Sequence, residues 1–379
     1  ACALLAMMHM HAQAQMSTRA GQISAAARLP LSLSAITSRT RPAHPSSIVQ
    51  PSRHAGIQSA LRLTTFRPSI VCGAVQPETE PQLSPAVPLG GEDAAVFDSA
   101  AQSTRSWTIF TFLLSIVLGA IWLVWVQPGT GLANDYLQGI EGWTNGNPEA
   151  TILLILLVFA VFHSGMAGLR PQGEALIGAR AYRVLFALGS LPLAVVAVVY
   201  FINHRYSGAP LWDVRGMPGV HEAVWILNFI SFYFLYPSTF NLLEVAAVDK
   251  PVLHMWETGI MRISRHPQMV GQVLWCAGHT LWVGNSVMVA TSLGLIVHHL
   301  FGCWHGDRRL AAKYGEAFEA VKSRTSTVPF LAILQGRQQL PADYYKEFLR
   351  LPYATITVLT VGAYYAHPLM QQASYFLGW

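Results

Sequence analysis

Long apolar runs alternate with short polar connections from residue 107 to the end of the chain. A membrane-spanning helix needs about 20 predominantly apolar residues, and seven segments approach or reach that length. These predicted spans are residues 107–126, 151–169, 183–203, 223–245, 267–284, 286–303 and 351–368. The pattern predicts an all-α fold: a polytopic membrane helical bundle with about seven transmembrane helices.

Residues with strong positional preferences mark several helix boundaries. Asn147 followed by Pro148 is typical of a helix start, because Asn caps the first turn and Pro fits the first helical position. Pro267 marks the start of the fifth span in the same way. Only Gly284 and Asn285 separate the fifth and sixth spans, which predicts a tight helical hairpin.

An amphipathic segment follows the sixth span. Within residues 307–323, Leu310, Tyr314 and Phe318 recur at four-residue spacing among charged residues. We expect this segment to form a separate helix that lies along the membrane surface.

The composition supports a membrane protein. Charged residues make up 11% of the 379 residues and hydrophobic residues 52%, whereas soluble domains carry about 25% charged residues. So few charges could not coat two or three soluble domains. The same figures exclude a disordered chain, a coiled coil and a secreted disulfide scaffold.

The N-terminal region differs from the rest of the chain. Residues 1–77 contain seven Arg, many Ser and Ala, and no Asp, Glu or Lys, a composition typical of organelle transit peptides. We predict a chloroplast transit peptide that is processed near residues 69–74, with a mitochondrial address or a disordered basic tail as alternatives. Residues 78–104 are predicted to be a disordered linker, and residues 105–379 the membrane domain.

The distribution of basic residues gives the orientation. With seven spans, fifteen of the Lys and Arg residues after position 77 fall on one face, and only Arg205 and Arg215 fall on the other. Such asymmetry is a topology signal, so the net charge of +5 does not indicate a nucleic-acid partner. We expect a multi-pass chloroplast membrane protein with its basic face toward the stroma, in either the envelope or the thylakoid.

Several histidines lie inside apolar runs, where ionisable side chains are costly and are usually functional. The second span contains His163. The fifth contains Cys276 and His279, which are three residues apart and share one helix face. His298 lies in the sixth span, followed by His299, Cys303 and His305.

Two such histidines on different helices can bind a haem iron from opposite sides. The chain has no CxxCH motif, so this haem would be non-covalent, of the b type. At 1.5 Å per residue, His163 lies about 9 Å and His279 about 18 Å from the basic face. This mismatch leaves His298 as the second candidate ligand. The alternative is that each histidine only forms a hydrogen bond with a neighbouring helix.

The surroundings of His163, together with the sequences WCAGH (275–279) and HHLFGCWHGDRRL (298–310), resemble the plastid 15-cis-zeta-carotene isomerase family, which is related to the bacterial NnrU membrane proteins. The resemblance covers residues 105–375. It implies an integral membrane haem b enzyme that converts 9,15,9′-tri-cis-zeta-carotene to the 9,9′-di-cis isomer. The reaction lies between phytoene desaturase and zeta-carotene desaturase, which makes these desaturases candidate partners beside the apolar carotenoid and the membrane lipid.

The resemblance also implies roles for four residues. The iron-binding histidines match His163 and His279, the alternate, redox-exchanged ligand matches Cys276, and a further catalytic histidine matches His298. We expect a thiolate of Cys276 to suit ferric iron, so that exchange with His279 gates activity by redox state. Arg262 and Arg308 are candidate partners for the haem propionates.

The fourth span carries an aromatic stripe at helical spacing. It either packs against helices and lipid or forms a wall for a long apolar polyene. Its members are Trp225, Phe229, Phe232, Tyr236 and Phe240.

Two other functions remain open. Residues 265–271 (RHPQMVG) resemble the RHPxYxG motif of isoprenylcysteine-type membrane methyltransferases, although the aromatic residue is missing. Such an enzyme would use S-adenosylmethionine and no haem. Alternatively, a membrane haem carrier or redox sensor could use the same histidines and leave carotenoid geometry unchanged.

Overall fold

The computed structural model describes residues 103–235, 242–250 and 257–377. The predicted transit peptide and the linker as far as residue 102 lie outside these ranges. Ser103 caps the first described helix, since its Oγ accepts a hydrogen bond from the backbone N–H of Ser106.

The described residues form α-helices joined by short connections, with no β-strand among them. The helices are α1 Thr104–Ile121, which continues as a π-helical turn over Trp122–Val126, α2 Ala133–Thr144, α3 Pro148–Gly168, α4 Arg170–Ile177, α5 Ala179–His204, α6 Val220–Leu235, α7 Leu242–Val245, α8 Ile260–Ile263, α9 Pro267–Val283, α10 Ser286–Tyr314, α11 Glu316–Arg324, α12 Leu331–Leu334 and α13 Leu351–Leu377, with a 3₁₀ turn at Tyr344–Phe348. The all-α prediction is confirmed.

Four helices of the described chain are long and apolar enough to cross a membrane: α1 with its π turn, α3, α5 and α10. The predicted count of seven is therefore confirmed only in part. Helix α6 is apolar but has 16 residues, about 24 Å at 1.5 Å per residue. Residues 236–241 of the predicted span, which runs to residue 245, lie outside the described residues. Helix α9 has 17 residues, and α13 includes several polar side chains.

Capping residues set the helix ends as the sequence predicts. The backbone N–H of Ala150 donates to Asn147 Oδ1 at 2.8 Å, and that of Met288 donates to Asn285 Oδ1 at 2.9 Å. Gly284 ends α9 in the left-handed conformation, with φ of 65°. A side chain is disfavoured at such a backbone angle, and the predicted hairpin between α9 and α10 is confirmed.

The predicted surface helix over residues 307–323 is wrong as a separate element. Residues 307–314 continue α10, which is 29 residues long. The chain breaks at Gly315, whose φ is 53°, and α11 begins at Glu316. Leu310 and Phe318 therefore belong to different helices.

Helix α10 packs against both α3 and α9, and α3 also packs against α5. Buried side chains from four helices meet in the main core, among them Leu137, Ile155, Tyr200 and Val287. Helix α9 lies closely along α6. At Gly271 a β-carbon would stand 2.6 Å from the backbone oxygen of Ser231, so only glycine permits this approach.

Arginine–carboxylate pairs tie together the segments at the end of the bundle where α9 begins and α10 ends. The side chains involved are largely withdrawn from solvent, so the pairs hold these connections in place. They are Arg262–Glu347 at 2.9 Å, Arg265–Asp307 at 2.6 Å and Arg324–Glu257 at 2.5 Å.

Candidate cofactor and active site

His163 lies in the last turns of α3, within a cluster of rings. Its Nδ1 shares a 2.7 Å hydrogen bond with Ser190 Oγ of α5. Its ring centroid lies 4.9 Å from Phe186, 5.2 Å from Phe159 and 5.8 Å from His298. A proton on Nδ1 leaves the lone pair of Nε2 as the nitrogen that can bind a metal.

His298 of α10 faces His163 across the α3–α10 contact. Its ring also lies 5.3 Å from Phe159 and 5.6 Å from His299. Its Nδ1 is buried and has no hydrogen-bond partner in the described chain. A buried polar nitrogen without a hydrogen-bond partner costs free energy. A ligand that pairs with the His298 ring would remove that cost.

Cys276 and His279 lie one turn apart on α9 but contact different helices. Cys276 is 1% exposed. Its Sγ accepts a hydrogen bond from Gln272 Nε2 at 3.4 Å and lies 3.9 Å from the carbonyl oxygen of Ser292 on α10. The thiol is therefore held among buried polar groups.

The His279 ring stacks on Trp275 at 3.8 Å and lies 6.5 Å from His367 of α13. Its Nδ1 is 3.0 Å from the carbonyl oxygen of Trp275. His204 and His367 make the same bond to the residue four positions earlier. That bond therefore does not distinguish His279 as a ligand.

The four residues predicted for the site are thus grouped in two places. Ring contacts in the described structure join His163 to His298, and His279 to His367. Helix α10 packs against both α3 and α9, and links the two places. Cys276 contacts this helix at Ser292, six residues before His298.

A haem needs fewer ligands from the protein than a bare metal ion does. No group of three or more His, Cys, Asp and Glu in the described ranges is arranged to hold a metal ion. A porphyrin supplies four iron ligands itself, so a haem needs only one or two from the protein. His163, with Nδ1 fixed by Ser190, and His298, with a buried nitrogen lacking a partner, have the chemistry that haem requires.

Two residues of the RHP motif contact Asp307, the first residue of the amphipathic segment that follows the sixth span. Both Arg265 and His266 contact Asp307 of α10, the latter through Nε2 at 2.8 Å. The Asp307 carboxylate therefore binds both side chains of the motif. In this structure the motif forms a polar link between the start of α9 and helix α10.

The two arginines predicted to contact haem propionates make other contacts in the described structure. Arg262 donates to Glu347 through Nε and Nη2 at about 3 Å. Arg308 is exposed, and its guanidinium lies 4.9 Å from the Trp304 ring. Within the described ranges, neither arginine contacts His163, His279 or His298.

The aromatic stripe is continuous but differs in one member from the prediction. Trp225 and Phe229 stack at 5.0 Å, and Tyr233 rather than Phe232 continues the row at 5.3 Å. Tyr364 of α13 contacts Trp225, and Tyr353 of α13 contacts Tyr233. The predicted members Tyr236 and Phe240 lie outside the described residues.

Sequence reasoning missed Ser190 and Gln272, the hydrogen-bond partners of His163 and Cys276. Both are polar residues in apolar helices and are 4% and 7% exposed. Gln272 precedes Cys276 by one helical turn, a spacing that pairs side chains. Ser190 is 27 residues from His163, and no local spacing indicates their contact.

Membrane-length helices with histidines between them define a polytopic helical membrane protein with a candidate cofactor site inside its bundle. The chain belongs to the NnrU protein family, whose model matches residues 151–374.

Two relatives have named activities. The chain is 55% identical over 345 residues to 15-cis-zeta-carotene isomerase, chloroplastic, of Arabidopsis thaliana, covering 90% of this chain and 92% of the relative. It is 62% identical over 291 residues to the protein of the same name from Zea mays, covering 77% and 79%. No solved structure gives a significant match.

Proposed function

We propose that this protein is a 15-cis-zeta-carotene isomerase of a chloroplast membrane, which converts 9,15,9′-tri-cis-zeta-carotene to the 9,9′-di-cis isomer. The observation that carries the proposal is the 55–62% identity to two isomerases of this name over most of both chains. The Arg-rich, acid-free residues 1–77 would serve as its transit peptide. The four membrane-length helices agree with an apolar substrate dissolved in the bilayer.

The proposed cofactor is haem b. When bound, it would supply reversible electron donation, which lowers the order of the central double bond long enough for rotation. His163 is the proposed first ligand, because Ser190 orients its ring and leaves Nε2 available. Cys276 is the proposed alternate ligand for the oxidised state.

His279 and His298 compete for the second ligand position. The resemblance favours His279, which would leave His298 as a catalytic residue beside the substrate. The 5.8 Å ring separation from His163 and the buried Nδ1 favour His298. Absorption spectra of the two variants would decide between them, since loss of an iron ligand would change the spectrum of a bound haem.

The aromatic row of α6 is the proposed wall of the carotenoid site. Trp225, Phe229 and Tyr233 present a continuous series of ring faces and edges. A conjugated polyene packs well on such a surface, and rings exclude water from the reacting bond. This row lies on the helix against which α9, with Cys276 and His279, is packed.

We also propose seven spans. Helices α6 and α9 cover about 24–26 Å at 1.5 Å per residue, close to the bilayer core of about 30 Å. Contacts such as Ser106 Oγ to Asp249 Oδ1 and Arg309 Nη1 to the Ala167 carbonyl join segments that this topology assigns to the basic face.

The test is isomerisation by the full chain in a bacterium that accumulates tri-cis zeta-carotene, grown in the dark because light isomerises polyenes. Chromatography of the extracted isomers and reduced and oxidised absorption spectra are measured together. The variants replace each histidine by Ala, with an exposed histidine as the control. They are His163→Ala, His279→Ala, His298→Ala and the control His221→Ala.

We expect the wild type and His221→Ala to produce the di-cis isomer and to show a Soret band. His163→Ala should lose both. A haem spectrum without any change in the carotenoid would instead indicate a haem carrier or sensor. Absence of haem together with binding of S-adenosylmethionine would indicate a methyltransferase.

A further inference from the structure

Three arginines and one glutamate gather where α3 ends and α5 begins. Arg183 Nε lies 3.0 Å from Glu174 Oε1, and Arg170 Nε lies 4.0 Å from the same oxygen. Arg309 of α10 donates to the Ala167 carbonyl at 3.3 Å, one turn before Arg170. The cluster thus joins α3, α4, α5 and α10 at the basic end of the bundle.

Arg170 is the member whose bonding is incomplete. Its Nε is buried and has no hydrogen-bond partner in the described structure. Burial, together with the charges of Arg183 and Arg309, lowers the pKa of Arg170 to about 10. One glutamate does not balance three guanidinium groups, so these four side chains together carry a net charge of +2.

The cluster adjoins the ring of His163. The Arg170 guanidinium lies 5.8 Å from the Phe186 ring, and Phe186 contacts His163 edge to face at 4.9 Å. Arg170 follows His163 by seven positions in the sequence, and helix α3 ends between them at Gly168. His305, one turn before Arg309, lies against Gly168 at 3.6 Å from the position of a β-carbon.

We propose that Arg170, Arg183 and Arg309 bind the propionates of a haem whose iron is held by His163. The inference rests on the haem proposed above and names the residues that anchor it. A haem b carries two carboxylates at one edge of its ring, and a single side chain, Phe186, contacts both the Arg170 guanidinium and the His163 ring. Two carboxylates also neutralise the net charge of +2.

The guanidinium group suits this role because its planar donors bind a carboxylate in two places at once. Arg183 is already fixed by Glu174 and by the Val245 carbonyl, to which Nη1 donates at 2.7 Å. Arg183 would hold one side of the propionate site in place, while Arg170 would donate through its Nε, which has no hydrogen-bond partner in the described structure. A phospholipid phosphate is the competing anion, and the experiment below separates the two.

The test compares haem b with its dimethyl ester, which has the same ring and iron but no carboxylate charge. The full chain, prepared without haem, is titrated with each compound and binding is followed at the Soret band. The variants are Arg170→Gln, Arg309→Gln and Arg309→Lys. Arg308→Gln is the matched control, since Arg308 is the adjacent, exposed residue on the same helix.

We expect the wild type and Arg308→Gln to bind haem about tenfold or more tightly than the ester, the scale of a charge-assisted hydrogen bond. Arg170→Gln and Arg309→Gln should each lose most of this preference, because each removes one of the three guanidinium groups. Arg309→Lys should keep part of the preference, because it retains the charge. Equal ester binding by the wild type and these variants shows that the pocket has folded.

A wild type that binds haem and ester equally would overturn the propionate assignment and leave the proposed haem intact. A wild type that binds neither would overturn both. Phospholipid retained during purification is quantified in parallel. If Arg170→Gln loses lipid but keeps the preference for haem, the cluster is a lipid site and the assignment is wrong.

Discussion

Two Asp–Arg pairs of nearly equal length allow the effect of burial to be measured in one protein. Asp307 and Arg265 are 2.6 Å apart, with side chains 15% and 14% exposed. Asp213 and Arg215 are 2.7 Å apart, with side chains 61% and 46% exposed. The distances match, but Asp307 also contacts His266 and joins two distant segments, so a difference in stability reports burial together with these tertiary contacts.

We expect Asp307→Asn to destabilise the fold by about 3–5 kcal/mol, because it leaves Arg265 and His266 withdrawn from solvent without their anion. For a domain of this size that is a fall in Tm on the order of 10 °C. Asp213→Asn should cause no measurable change, since water and salt screen the exposed pair.

The Tm changes of both variants are measured by thermal unfolding of the full chain in detergent, with tryptophan fluorescence as the signal. The buried-pair effect should persist at high salt, and Asp307→Glu should restore part of it. Equal Tm values for Asp307→Asn and the wild type would refute the role of this cluster as a link between α9 and α10. Equal losses for the two Asn variants would show that burial is not the cause.

Three further predictions follow from single contacts. Ser190→Ala removes the hydrogen bond that orients His163 and should weaken haem binding about 10–100-fold, measured by Soret titration; unchanged affinity would contradict that role. Gly271→Ala should destabilise the fold by about 1–3 kcal/mol, because its β-carbon meets the α6 backbone. The control Gly139→Ala lies in a helix with open space around it and should be neutral or stabilising by up to about 1 kcal/mol. Equal unfolding temperatures of the two variants would argue against close packing of α9 on α6. Cys276→Ser should abolish any redox-linked spectral change due to thiolate, and its survival would exclude Cys276 as the alternate ligand.

Several features of the fold could be predicted because they depend on neighbours in the sequence. Apolar runs correctly located the four membrane-length helices α1, α3, α5 and α10. Asn147 and Gly284 correctly marked helix ends, because caps act within one turn. The break at Gly315 was not predicted, since its polar surroundings fit a helix on either side.

The sequence by itself determined that the chain is helical and membrane-bound, and it identified the histidines and the cysteine by their polarity within apolar runs. Only the tertiary structure decided that His163 contacts His298 and Ser190, and that Arg170, Arg183 and Arg309 form one cluster. The reason is geometric. Successive residues point about 100° apart around a helix, so a contact between helices depends on their rotation and offset, which no local pattern specifies.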